Sequence, residues 1–287
     1  MNQARSAIAF AGLSGVSADR ILEEAAMVLS EAEREEVLVQ HIVRRVTDAI
    51  IRESGKPENF DIYEKIKERS NRLALEHTVF LRETISSSGS PLETGLKAAV
   101  SGNIIDFGAK DHRNLDLEKE IAALLETSFG RYDFPSFQEK LSKAESLLYI
   151  CDNCGEIVFD ALFMEQLKKH YPSLEITAAF REKPIINDAT LKDAEISGMK
   201  QWARCISSGS VYPGTILSET TAEFQDIFES ADLILSKGQG NFETLLPEAD
   251  DRLFFLLRIK CEYMASLSGV EKDKLVLIQG EKKSHSN

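Results

Sequence analysis

From residue 146 onward the chain alternates short apolar runs with helical segments, and this alternation restricts the fold more than any other feature. Runs at 146–151, 175–180, 203–207, 232–236, 253–259 and 274–279 have the length of buried strands, and the segments between them carry helical periodicity. Repeats of this kind build a mostly parallel sheet covered by helices on both faces. The first half has a different texture. Val39, Ile42, Val43, Val46 and Ile50 form one apolar stripe, and Gly55-Lys56-Pro57 ends that helix. A second helical pattern runs over 62–85 and stops at the polar turn Ser86 to Pro91. A third spans 92–100 and a short fourth 117–127, with no strand expected before residue 146. The expected architecture is α/β: a helical amino-terminal domain (1–135) packed on a Rossmann-like, mostly parallel α/β/α sandwich (136–287). The tail from Glu281 reads as disordered.

The first of these strands ends abruptly in Cys151-Asp152-Asn153-Cys154-Gly155-Glu156, after which Ile157, Ala161, Met164 and Leu167 mark a helix. Open α/β sheets place ligands at such carboxyl ends. Asp152 and Asn153 offer one anionic and one neutral oxygen, a set suited to Mg²⁺ or Mn²⁺. Both are also preferred helix caps. After the second strand, Asn187 and Asp188 repeat the theme, and Asp188 is either a third oxygen ligand or another cap. After the third and fourth strands come Ser207-Ser208-Gly209-Ser210 and Ser236-Lys237-Gly238-Gln239-Gly240. Small residues there let backbone N–H groups approach an anion, and Lys237 adds positive charge. Glu156 and Glu243 read as acidic residues that open helices favourably, and Arg181 and Lys183 as attractors of an anionic substrate or as solvated charges.

Several chemistries lack their signatures. There is no Walker A order, no G-x-G-x-x-G, no H-E-x-x-H and no G-x-S-x-G, and the five histidines are isolated. Cys151 and Cys154 form a C-x-x-C at a helix start, which raises a redox alternative. Cys151 continues the apolar strand, however, so these two, with Cys205 and Cys261, read as small core residues. With 47 acidic against 34 basic residues the net charge is −13, a poor match for nucleic acid or an anionic membrane. No apolar run has the length of a membrane span, and the short apolar stretch after Arg5 is too weak for a signal peptide. A cytoplasmic location is expected.

Three motifs, Asp152-Asn153-x-Gly155-Glu156-Ile157-Val158-Phe159-Asp160, Lys183-Pro184-Ile185-Ile186-Asn187-Asp188-Ala189-Thr190 and Lys237-Gly238-x-Gly240-Asn241-Phe242-Glu243, together resemble the metal-dependent damage-control phosphatases of the acidic-residue-methyltransferase-like type. Gly102-Asn103-Ile104-Ile105-Asp106-Phe107-Gly108 extends the resemblance into the helical half. The resemblance implies that Asp152, Asn153 and Asp188 bind a divalent metal (Mg, Mn, Co or Ni). It implies that Asp152, Asn153 and Lys237 form the catalytic set, and that Lys237 holds the phosphate. Asn103, Ser208, Gly209 and Gly238 complete the expected substrate contacts, and the implied substrates are small phosphorylated metabolites such as sugar phosphates or phosphopantetheine-like compounds. The attacking group, water or a carboxylate, stays open. An S-adenosylmethionine-dependent carboxyl methyltransferase and a non-catalytic metal- or metabolite-binding protein are the alternatives.

Overall fold

The computed structural model describes residues 1–35, 38–102 and 117–282, with side chains for all of these except 32–35. The amino-terminal helices are α1 (Asn2–Phe10), α2 (Val16–Glu35), α3 (Val39–Ser54), α4 (Glu64–Glu76), α5 (Thr78–Ser87) and α6 (Pro91–Ser101), and α7 spans Leu117–Glu126. Helix α3 ends where its sequence demands, at Gly55 in the left-handed conformation. The single helix expected over 62–85 is two, because His77 leaves helical geometry between α4 and α5. Ala74, Leu81 and Ile85 stay on one buried face across this break, so periodicity alone does not reveal it.

Seven strands form one sheet: β1 (Phe129–Tyr132), β2 (Ser146–Ile150), β3 (Glu175–Phe180), β4 (Arg204–Ser207), β5 (Leu233–Lys237), β6 (Leu253–Arg258) and β7 (Leu275–Gln279). Their spatial order is β1-β7-β6-β5-β2-β3-β4. Strands β2 to β6 are mutually parallel, β7 is antiparallel to β6, and β1 pairs parallel with β7. All six strands expected from sequence are present. Strand β1 corrects the expectation that none precedes residue 146. It is a four-residue edge strand with an irregular register and a glycine in its middle, and so lacks the apolar run that identified the others.

Intervening helices are α8 (Phe134–Leu141), α9 (Glu156–His170), α10 (Leu191–Ile196), α11 (Ala222–Ser230), α12 (Gln239–Leu245) and α13 (Glu262–Ser268). Helix α9 is buried continuously from Glu156 to Leu167. One side of it joins the sheet core around Leu147, Tyr149 and Leu235, while Val158, Phe159 and Leu162 pack on α4, α5, α6 and α7. A helix covered on both sides has no solvent stripe, which explains its nearly all-round apolar sequence. The opposite face of the sheet packs Leu148, Ile150, Ile234 and Phe255 against α11, α12 and α13. Helices α1 to α3 enclose a separate small core around Ala7, Ile21 and Ile50. Among the described residues no helix is long and apolar enough to cross a membrane.

Candidate functional site

Strand order reverses between β2 and β5: from β2 the chain moves outward to β3 and β4, and from β5 it moves the other way to β6. This is the crevice where open α/β sheets bind ligands, and Asp152-Asn153 and Lys237-Gly238 border it. The segment after β3 folds back onto the turn after β2. Ala189 N donates to Asp152 O at 2.7 Å, Cys154 N donates to Asn187 O at 2.9 Å, and Asn153 and Asp188 face each other across an isolated antiparallel bridge. Asp152, Asn153 and Asp188 are thereby brought together.

None of the three caps a helix. Gly155 is the cap residue of α9, and Thr190 caps α10 in a reciprocal arrangement with Asp193. All three side chains are buried, at 8%, 7% and 4% exposure. Asn153 Nδ2 donates to Asp152 Oδ2 at 2.9 Å and to Glu156 Oε1 at 3.3 Å. Among the described residues no hydrogen bond is made to Asp152 Oδ1, Asn153 Oδ1 or Asp188 Oδ1. Gly238 has φ +80°, and a Cβ there would stand 1.9 Å from Asp152 Oδ2, so the carboxylate occupies the space that glycine leaves free. At Gly240 the same test meets the Pro213 carbonyl at 2.2 Å, so the loop at Pro213 packs closely on the start of α12.

Arg181 corrects the expectation of a solvated or substrate-attracting charge. It is 2% exposed, and its Nε donates to Asp188 Oδ2 at 2.7 Å. Its other nitrogens donate to Thr215 Oγ1 at 3.0 Å and Asn241 Oδ1 at 2.9 Å, and Asp152 Oδ1 lies 3.8 Å away. Asn241 in turn donates to the Cys151 and Lys237 carbonyls, tying the ends of β2 and β5 together. A register signal for Arg181 exists: Ile150 pairs with Ala179, so Arg181 continues its strand to the depth of Asp152. Lys183 stays half-exposed.

Glu156 is likewise more than a helix opener. It is buried at 1% exposure and accepts from Asn153 and Lys237. Lys237 is fully buried, and its ammonium donates to Asp160 Oδ1 at 2.7 Å, the Ala99 carbonyl at 2.9 Å and Glu156 Oε2 at 3.3 Å. Tyr149 donates to the same Asp160 oxygen at 2.6 Å. Glu243 accepts from Gln239 and from Gln40 of α3, which brings the first helical layer to the rim of the crevice. Ser208 and Gly209 lie beyond β4, where the Ser208 hydroxyl donates to the Phe180 carbonyl and accepts from Ser210 N. Among the described residues they share no hydrogen bond with the three oxygen-bearing residues. Asn103, and the tail beyond residue 282, lie outside the described residues.

The electrostatics are those of a crowded acidic centre. Burial pushes the Asp152 carboxyl well above the ordinary range, Asp188 and Glu156 add to the rise, and Arg181 and Lys260 oppose it. Burial also raises Asp188 against the pull of Arg181. Asp160 is pushed up to about 6 by burial, with Lys237 and Tyr149 opposing. Burial alone would lower Lys237, but Asp160 and Glu156 outweigh it and hold the ammonium above its usual value. Among the described residues, Asp152, Glu156, Asp160 and Asp188 have two buried cations in contact, Arg181 and Lys237, with the buried Lys67 acting on Asp188 as well, and an excess of buried negative charge is costly. A divalent cation would remove that excess. The hard oxygens of Asp152, Asn153 and Asp188 that accept no hydrogen bond among the described residues are the donors such an ion takes. Among the described residues no group of three His, Cys, Asp or Glu side chains is arranged to hold a metal, and the set named here has two carboxylates and an amide. Cys151 and Cys154 are both buried and burial raises both thiols, the opposite of a redox pair, while Cys205 and Cys261 are half-buried.

Fold and site together define an α/β protein with a buried oxygen-donor centre at the switch point of its sheet. The family model described as the damage-control phosphatase ARMT1-like domain matches residues 1–276, and the chain belongs to this family. It is 39% identical over 189 residues (66% of this chain, 65% of the relative) to a damage-control phosphatase of Pyrococcus horikoshii. It is 29% identical over 258 residues (89% and 87%) to a damage-control phosphatase of Archaeoglobus fulgidus. An uncharacterized protein of Methanocaldococcus jannaschii is 38% identical over 232 residues (77% and 74%). The crystal structure of a DUF89 family protein from Pyrococcus horikoshii superposes with a TM-score of 0.87 at 31% identity, covering 98% of this chain and 95% of that one.

Proposed function

We propose that this member of the damage-control phosphatase family is a divalent-metal-dependent phosphatase of small phosphate monoesters. One observation carries the metal: Asp152 and Asp188, two buried carboxylates with too few cations around them, meet Asn153 across a backbone bridge, each with an oxygen free of hydrogen bonds among the described residues. When bound, the metal supplies Lewis-acid polarisation of the phosphoryl group. The protein's own residues do the rest. Arg181 fixes the rotamer of Asp188, and Asn153 does the same for Asp152, so neither carboxylate reorganises when substrate arrives. Lys237 reaches the phosphoryl oxygens by releasing its longest contact, the one to Glu156, and keeps Asp160 as its anchor. The substrates in this reading are sugar phosphates or phosphopantetheine-like metabolites, damaged or surplus, met in the cytoplasm, with no nucleic-acid or membrane partner.

The test is phosphate release from a panel of sugar phosphates, phosphopantetheine and a generic aryl phosphate. Each would be run with chelator and with Mg²⁺, Mn²⁺, Co²⁺ and Ni²⁺ singly, for wild type beside Asp152→Ala. Turnover that needs metal and disappears in the variant is expected. Release from folded wild type that is indifferent to chelator would overturn the metal assignment, and no release from any member would overturn the substrate class.

A further inference from the structure

The turn that carries Asp152 and Asn153 is held from behind by a residue of the helical half. Asn71 on α4 is fully buried, and its Oδ1 accepts from Gly155 N at 2.7 Å. Its Nδ2 donates to Asp193 Oδ1 at 3.1 Å. The other oxygen of Asp193 accepts from both the backbone N–H and the hydroxyl of Thr190, each at 2.9 Å. Lys67, one turn before Asn71 on α4, lies 3.2 Å from that oxygen and donates to Asp61 at 2.8 Å. One connected cluster therefore grips two backbone segments. Through Gly155 it grips the turn 152–155, and through Thr190 it grips the segment 187–190.

These are the segments whose bridge sets Asn153 opposite Asp188. Gly155 adopts φ 86°, ψ −53°, a conformation with no helical or strand ladder to stabilise it, so its N–H depends on the Asn71 amide. An amide side chain, unlike an aliphatic one, satisfies a donor on one side and an acceptor on the other. Asn71 is thus fitted to join the turn to Asp193, and no other side chain accepts from Gly155 N among the described residues.

We propose that Asn71 and Asp193 are positioning residues of the candidate metal site, which set the register between the Asp152-Asn153 turn and Asp188. The proposal rests on the metal reading given above. Removing partners that orient ligands costs about 10–100-fold in metal affinity. The experiment compares Asn71→Ala, the isosteric Asp193→Asn, and Leu81→Ala, a fully buried core truncation outside the cluster, with wild type. Three readouts apply: Mn²⁺ affinity by calorimetry, exchange of the Gly155 amide by NMR, and phosphate release across a Mn²⁺ titration.

The Mn²⁺ Kd is expected to rise about 10–100-fold in Asn71→Ala and Asp193→Asn, with faster Gly155 exchange and with excess Mn²⁺ restoring most of the turnover. Leu81→Ala should lose stability and change none of the three. A Mn²⁺ Kd within twofold of wild type in folded Asn71→Ala overturns the proposal, and Asp193→Asn decides it on the same criterion if Asn71→Ala does not fold. Should wild type take up no Mn²⁺, the metal reading falls separately. Gly155 exchange then decides the positioning: faster in the variants upholds it, unchanged overturns it.

Discussion

Gly238→Ala isolates the relation between the loop after β5 and the carboxylate after β2. At φ 80°, ψ 168° the position is one that essentially only glycine adopts, so any side chain costs about 1–3 kcal/mol of strain. Sterics add a second, separable effect. The new Cβ would stand 1.9 Å from Asp152 Oδ2 and 2.3 Å from its Cγ. To regain ordinary contact the carboxylate must retreat by about 1.5 Å. Misplacement of a reacting group by that much costs on the order of 100-fold in rate. Gly269→Ala is the matched control: φ is +68° but nothing lies within 4 Å of its Cβ. That variant should lose about 1–2 kcal/mol in urea denaturation and keep full turnover. Gly238→Ala should lose at least as much stability and about two orders of magnitude in metal-saturated phosphate release. If folded Gly238→Ala keeps a third or more of wild-type turnover, the placement of the Asp152 carboxylate is not what the glycine protects, and the argument fails.

Two further outcomes follow from the buried ion pairs. Lys237→Met strands Glu156 and Asp160 without a cation, and breaking such a pair costs about 3–5 kcal/mol. The double variant Lys237→Met/Asp160→Asn should recover part of this in urea denaturation, and a single variant as stable as wild type would contradict the pairing. The second concerns acid. Burial acts to raise Asp193, but Lys67, Thr190 and Cys154 outweigh it and hold the carboxyl below its ordinary value of 3.8. A depressed folded value gives stability that is fully present above pH 3.8 and lost as pH falls through the lower folded value. The stability gap between wild type and Asp193→Asn should therefore be constant from pH 7 to 5 and shrink below pH 4. A gap that widens on acidification would reverse the sign of the argument.

What was legible in the sequence is what a single strand or helix carries by itself. The six apolar runs became strands because burial on both faces of a parallel sheet leaves no polar alternation to obscure them. Strand β1 escaped because an edge strand of Phe-Gly-Arg-Tyr buries little and follows no simple period. Asp152 and Asn153 were visible because they end an apolar run at a strand's carboxyl end, where chemistry concentrates, and Asp188 because it stands beside Asn187 in the loop that follows the next strand. Their capping alternative was removed only by the backbone, since the cap positions fall at Gly155 and Thr190.

The residues whose roles were misjudged share a different property: their partners are remote in sequence. Arg181 looks like a loop cation until Asn241, sixty residues away, supplies an acceptor for it inside the crevice. Glu156 looks like a favourable helix opener until Lys237, 81 residues on, is found donating to it at 3.3 Å. Asn71 stands in no motif of the sequence, yet it is fully buried and meets Gly155 from 84 residues away. Periodicity places a side chain on a face of its own element and says nothing about which other element covers that face. The buried charges of Arg181 and Glu156 are tolerated only because Asp188 and Lys237 stand against them, so burial of a charge and its partner must be inferred together. The helical half is accordingly a structural part of the site: Ala99 takes a hydrogen of Lys237, Gln40 holds Glu243, and Asn71 holds the turn that presents Asp152 and Asn153. A sandwich built from residue 136 onward, without α3, α4 and α6, would leave Gly155 N without its acceptor and Lys237 without one of its three, and the carboxylate geometry would have no back wall to hold it.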